Sequence, residues 1–316
     1  MYKFPNRQTW QGRVDSKIDK DSFRIHQRVI CNSTDDDFES AFCLVGFESD
    51  EGVRRNKGRI GAAKAPDEIR KSLGKLPYLF EDTASIIDVG NVVCEGESLE
   101  AAQAELADRV DQIFNKRSTP IILGGGHETL YGHYLGIRKY VGENTSIGII
   151  NIDAHFDLRQ DSRPSSGTMF RQILEQDKQA GYLCLGIQPF GNTKSLFQVA
   201  EQLGCIYVLE ESLALHNIQK QYGVIDQFCN QYDVIIVTLC TDSIASSAAP
   251  GVSAPSPFGL DPVVVRTLLR HIVAKENVCS FDISEVNPLL DENGRTTKLA
   301  AYLVAEVLHN FNNTVQ

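Results

Sequence analysis

Eight short, nearly continuous apolar runs punctuate the chain: residues 42–47, 86–89, 120–123, 147–152, 182–187, 205–209, 233–239 and 278–283. Most are separated by segments whose apolar residues return every three or four positions. Leu99, Ala102, Leu106, Val110, Ile113 and Phe114 form one such stripe, the mark of an amphipathic helix. Further helical patterns follow Glu128 and lie near 194–203, 215–231, 261–275 and 296–310. Pro66 suits the start of another helix, with Asp67 and Glu68 in its first turn, where acidic groups favour the helix dipole. Apolar runs without alternation are strands buried on both faces, and strands alternating with helices are βαβ units. The pattern therefore predicts an α/β protein with a mostly parallel sheet covered on both sides. Residues 1 to about 40 are polar and irregular and are expected to pack on that core as an extension. No linker-like shift in composition and no repeat interrupts the rest, so one domain spanning 1–316 is expected.

Ligands of an open parallel sheet bind beyond the carboxyl ends of its strands. Four polar clusters fall at such ends here. The first is His127, after Gly124-Gly125-Gly126, whose glycines allow a tight turn. The second is Asp153-Ala154-His155-Phe156-Asp157, directly after the run ending at Ile152. In extended geometry its three polar side chains, spaced by two, project to one side. A helix would splay them by about 200° at each step. Cys240 with Asp242, and Asp282 with Glu285, complete the set. His127, Asp153, His155, Asp157, Cys240 and Asp242 suffice for two divalent metals that share ligands. Two metals about 3.5–4 Å apart lower the pKa of a water held between them, and so the pattern points to a hydrolase.

Bulk properties narrow the class. A net charge of −10 on 316 residues argues against a nucleic-acid partner. No stretch approaches the roughly 20 apolar residues of a membrane span. The first residues lack the apolar centre of a signal peptide, and a cytosolic protein is expected. The eight cysteines are scattered, several within apolar runs, without a CxxC pair. Reduced thiols are expected, neither a disulfide framework nor a structural zinc site.

These motifs carry a resemblance. Gly124-Gly125-Gly126-His127-Glu128, Asp153-Ala154-His155-Phe156-Asp157 and Asn56-Lys57-Gly58-Arg59 are similar to motifs of the ureohydrolase family, which contains arginase and agmatinase. Glu128, Phe156-Asp157-Leu158-Arg159 and Ala249-Pro250-Gly251-Val252-Ser253-Ala254-Pro255 most resemble its formimidoylglutamase branch. The resemblance runs from about Arg54 to the last helix. It implies an arginase-like three-layer α/β/α fold with a mostly parallel eight-stranded sheet and a binuclear manganese site. His127, Asp153, Asp157 and residue 240 would hold one ion; Asp153, His155, residue 240 and Asp242 would hold the other. The family pattern Ser-x-Asp-x-Asp is replaced here by Thr238-Leu239-Cys240-Thr241-Asp242, so a thiol stands where a bridging carboxylate is usual. A softer, single-atom donor weakens manganese and makes zinc or iron more competitive.

The resemblance also implies roles for individual residues. Glu285 would hold the substrate's amidinium and Asp157 would help move a proton. Ser165, Ser166, Gly167 and Thr168 would bind the amino-acid end. Arg159, Arg163 and Arg171 are candidates to meet carboxylates, since guanidinium pairs with them bidentately. Phe170 stands where arginase has a histidine, which argues against arginase and leaves the leaving-group proton donor unassigned. The expected activity is hydrolysis of N-formimidoyl-L-glutamate to L-glutamate and formamide in histidine degradation, with a small-molecule amidine as partner. The alternatives are another ureohydrolase acting on a guanidino acid or agmatine-like amine, and a metal-poor, non-catalytic homologue. A homo-oligomer is compatible with the resemblance, its size unspecified.

Overall fold

The computed structural model describes residues 1–80 and 85–312. Its strands are β1 (Tyr2–Lys3), β2 (Ile30–Cys31), β3 (Ala41–Glu48), β4 (Ser85–Val93), β5 (Thr119–Leu123), β6 (Ile147–Ile152), β7 (Ala180–Ile187), β8 (Ile206–Leu209), β9 (Val234–Cys240) and β10 (Val278–Ser284). They join in one sheet ordered β1-β4-β3-β5-β10-β9-β6-β7-β8, with β2 also pairing β4. Every pairing is parallel except β1 with β4. The eight strands expected from the apolar runs are all present. The extension adds two more, which corrects the count to ten among the described residues. Two-residue strands leave no periodic trace, and their pairing to β4 is made entirely by backbone groups.

Alternate residues of each central strand face opposite layers. Phe42 and Leu44 of β3 pack with the helices Ala65–Leu73, Pro262–Val273 and Arg295–Asn310. Cys43, Val45 and Phe47 pack with Leu99–Asn115, Thr129–Val141 and Met169–Gln176. Helices thus cover both faces, as strands apolar on both sides require. Pro66 is the second residue of its helix, where a missing N–H costs nothing. The helix Met169–Gln176 was not among the expected ones; it is only eight residues long. Residues 1–40 are more than a wrapping: Trp10, Ile25 and Val29 enter the core, and the Trp10 indole donates to Asp88 Oδ2 at 2.8 Å. All eight cysteines are free thiols. Among the described residues no helix is long and apolar enough to cross a membrane.

The topology places the chemistry. The last strand, β10, fills the gap between β5 and β9, so β5, β10, β9 and β6 are consecutive in the sheet. Their carboxyl ends carry His127, Glu285, Cys240 with Asp242, and the Asp153–Asp157 segment.

Candidate metal centre and substrate cleft

Beyond those strand ends lies a cleft of about 420 Å³, lined among others by His127, His155, Asp157, Cys240, Asp242 and Glu285. The route to this convergence differs from the expected one. Extended geometry stops at Ile152, and Asp157 adopts φ +49°, in the left-handed region. A turn, not a continued strand, aims the three polar side chains inward. Glu285 also has positive φ, at +68°. Side chains other than glycine rarely occupy this region, and strain of this kind gathers at functional positions. Asn192 holds the turn: its Oδ1 accepts from Phe156 N and its Nδ2 donates to Ala154 O, each at 2.9 Å.

The donor atoms interlock. His127 Nδ1 lies 3.0 Å from Asp153 Oδ2 and 3.2 Å from Asp157 Oδ2. His155 Nδ1 lies 3.5 Å from Asp153 Oδ1 and 3.4 Å from Asp242 Oδ2. The Cys240 thiol donates to Asp242 Oδ1 at 2.9 Å. Two triplets could hold an ion: His127, Asp153 and Cys240, and Asp153, His155 and Asp242, each with ligand atoms within 4.8 Å of one another. They share Asp153, which suits a binuclear centre. Asp157 stands beside the first triplet.

Electrostatics fit the same occupant. Burial, then the charges of Asp242 and Glu128, pushes the Glu285 carboxyl well above the usual range. Burial raises Asp157 to about 6, with the Asp153 charge adding to it against the His127 hydrogen bond. Burial and the surrounding carboxylates push the Cys240 thiol up. Burial disfavours charge on both histidines, yet Asp153 and Asp157 for His127, and Asp242 and Asp153 for His155, raise them well above the ordinary value. A buried concentration of acidic groups with nitrogen and sulfur donors is one that divalent cations relieve.

The walls hold the other expected residues, but not all of them. Glu285 Oε1 accepts from His127 N at 2.9 Å, and Glu285 N donates to Gly125 O at 2.8 Å, so the glutamate is tied to the histidine's turn. Arg159 and Ser166 line the cleft, as does Asn56. Ser165 and Thr168 are buried in the bonding of their own loop, with Thr168 Oγ1 accepting from Ser165 N at 2.9 Å. Gly167 O accepts from Arg159 N at 2.9 Å. Neither Arg163 nor Arg171 lines the cleft: Arg163 pairs with Glu97 at 3.1 Å and Arg171 with Glu175 at 2.8 Å. Their sequence proximity to the ligand segment misled, because Arg163, in the loop, and Arg171, on the helix Met169–Gln176, are each taken up by an acidic partner away from the cleft.

Several residues assigned no role from sequence also serve the site. Glu128 is fully buried; its Oε1 accepts from Ser49 Oγ and Gly52 N, and burial raises it to about 7. The Arg59 guanidinium donates to Ser253 O and Val252 O, pinning one lip of the cleft to the other. Thr238 and Asp282 lie beneath His127; their signal was a polar residue inside an otherwise apolar strand.

An open parallel sheet with interlocked carboxylates, imidazoles and a thiol at four adjacent strand ends is the architecture of a metal-dependent hydrolase. Residues 40–309 match the arginase family model, and the chain belongs to the arginase family, whose members depend on a binuclear metal centre. It is 53% identical over 315 residues to the formimidoylglutamase of Geobacillus sp. strain WCH70, covering 98% of this chain and 97% of that one. The formimidoylglutamase of Lysinibacillus sphaericus is 50% identical, with 98% of each chain covered. Among solved structures, the Bacillus subtilis formimidoylglutamase superposes with a TM-score of 0.82 at 21% identity, over 94% of each chain. Trypanosoma cruzi formiminoglutamase, solved with Mn2+, does so with a TM-score of 0.78 at 25% identity, over 92% of this chain and 98% of that one.

Proposed function

We propose that this protein is a formimidoylglutamase: with water it cleaves N-formimidoyl-L-glutamate to L-glutamate and formamide, a step of histidine degradation. The observation that carries this is the pair of donor triplets sharing Asp153, with the Glu285 carboxyl beside them on the cleft wall. Identity of about half over the full chain to formimidoylglutamases supports the choice of substrate.

His127, Asp153, Asp157 and Cys240 would hold one ion, and Asp153, His155, Cys240 and Asp242 the other. Manganese is the expected metal, with zinc or iron favoured more than usual by the Cys240 sulfur. Bound there, the ions would supply Lewis-acid chemistry, acidifying the attacking water and stabilising charge that develops in the transition state.

The chain's own groups do the rest. With Oε1 occupied by His127 N, Glu285 offers Oε2 to the N–H groups of the amidinium, a charge-assisted contact that orients the formimidoyl carbon. That cation also relieves the cost of a buried Glu285 carboxylate. Asp157, beside the first donor triplet, would take the water's proton and pass it to the departing α-nitrogen. The C–N bond to glutamate breaks as that nitrogen gains its proton. Arg159 and Ser166 would meet a carboxylate of the glutamyl end. The chain acts as one domain in this reading, in the cytoplasm.

The test is product analysis with the manganese-loaded protein. Glutamate and formamide released from N-formimidoyl-L-glutamate are expected, with little urea from arginine or agmatine. Urea production from either of those, without glutamate release, would assign the chain to another branch.

A further inference from the structure

Beneath His127 runs a chain of buried polar side chains that the reaction itself does not use. His127 Nε2 lies 3.0 Å from Thr238 Oγ1, and the Thr238 hydroxyl donates to Asp282 Oδ1 at 2.7 Å. Asp282 Oδ2 lies 2.8 Å from His133 Nδ1, and His133 Nε2 lies 2.7 Å from Ser280 Oγ. Ser284 Oγ adds a weaker contact to Asp282 Oδ1 at 3.3 Å. Thr238, Asp282, His133, Ser280 and Ser284 are all fully buried. Strand register creates the core of this array, because Thr238 of β9 is the direct neighbour of Asp282 of β10. His133 arrives from the helix Thr129–Val141, six positions after His127.

We infer that Thr238, held by Asp282 and His133, is a positioning residue that fixes the tautomer of His127 for metal binding. The deduction follows from the direction of the hydrogen bonds. A hydroxyl has one proton, and that of Thr238 is committed to Asp282. Toward His127 its oxygen can only accept, so Nε2 must carry a hydrogen. A histidine that binds a metal must be neutral, with one N–H, and in that form Nδ1 is left with the bare lone pair. Nδ1 is the atom that faces Asp153 and Asp157. Asp282 is kept from rotating by His133, which grips its other oxygen, and Ser280 grips His133 in turn. A histidine ligand commonly donates its far N–H to a carboxylate directly; here a threonine hydroxyl stands between them. Stability alone does not call for this array, since apolar side chains of similar volume at such positions are often neutral or stabilising. A threonine among Ile236, Val237 and Leu239 is thus better explained by the histidine it faces.

The inference rests on His127 as a metal ligand, and the experiment separates the two. Metal-stripped full-length protein is titrated with manganese by calorimetry in four forms: unaltered, Thr238→Val, Thr238→Ser and His127→Ala. Valine keeps the shape and removes the hydroxyl; its affinity is expected to fall about 10–100-fold, the usual effect of losing such a support. Serine restores the hydroxyl and is expected to bind close to the unaltered protein. Thr238→Val binding as tightly as the unaltered protein, while His127→Ala does not, overturns the inference and leaves the metal centre standing. Unchanged binding by His127→Ala removes the metal assignment and the inference with it. Should Thr238→Val not fold, histidine-selective 15N NMR of the unaltered, metal-free protein, taken above the pH at which His127 becomes neutral, decides. A proton on His127 Nε2 supports the inference, and a bare Nε2 overturns it.

Discussion

Asn56 and Arg159, 103 residues apart in sequence, are joined at the cleft wall: Arg159 Nη1 donates to Asn56 Oδ1 at 2.6 Å. Asn56 Nδ2 in turn donates to Ser166 Oγ at 3.3 Å. The bonds hold an exposed guanidinium at the edge of the cleft while leaving other N–H groups free for a carboxylate. Asn56→Ala is expected to raise KM for N-formimidoyl-L-glutamate several-fold, with kcat changed little, because an unanchored arginine loses more freedom on binding. Steady-state kinetics read this directly. A fall in kcat at constant KM would place Asn56 in the chemistry instead.

Glu285→Gln keeps the shape of the side chain and removes its charge. A charge-assisted hydrogen bond contributes about 1.5–3 kcal/mol, so kcat/KM is expected to fall on the order of 10–100-fold. Metal content by elemental analysis should stay the same, since Glu285 belongs to neither donor triplet. Loss of metal together with activity would contradict the role given to it.

In the proposed centre Cys240 would supply sulfur to a site otherwise made of oxygen and nitrogen donors. Cys240→Asp replaces a soft donor by a hard one with two oxygens, and the preference of the centre should move toward manganese over zinc. Competition titrations of the two metals against each protein measure the shift. The same ranking in both proteins would show that residue 240 is not a ligand.

Gly52 is packed against Glu128 so closely that a Cβ would lie 2.5 Å from its Cδ. Gly52→Ala therefore forces apart the segment after β3 and the turn that bears His127. Overpacking of this kind costs about 1–3 kcal/mol, and a lower Tm in thermal unfolding is expected. Metal affinity should weaken as well, because the displaced Glu128 adjoins His127.

Asp177 accepts from Tyr134 Oη and from Arg138 Nη2, tying the helix Thr129–Val141 to the segment before β7. Burial raises its carboxyl, but the Tyr134 hydrogen bond, the Gln179 N–H and Arg138 outweigh it and hold it below 3.8. A pKa depressed in the folded state gives stability that is complete above the unfolded value and disappears as pH falls through the folded one. The Tm deficit of Asp177→Asn relative to the unaltered protein should thus be constant from pH 7 to about 5. It should narrow below 3.8. A deficit that widens on acidification would reverse the sign of the argument.

Much of this was legible in the chain. The apolar runs gave the eight long strands because a strand buried on both faces has no room for alternation. The motif of Asp153, His155 and Asp157, placed after one of those runs, marked a segment that meets His127, Cys240 and Asp242, although a turn and not the expected strand brings it there. Local pattern failed where the decisive contact was distant or made by the backbone. β1 and β2 are strands only because β4 offers them an edge. Arg159 and Arg163 look alike in sequence, yet one lines the cleft and the other pairs with Glu97 outside it.

The sequence by itself determined the class of fold and the inventory of donors, since periodicity and residue chemistry are local properties. Tertiary structure decided which donors meet and which way their protons point. Register set Asp282 beside Thr238, and the order of strands set both beneath His127. Those relations arise from backbone pairing between strands remote in sequence, and no stretch of the chain contains them.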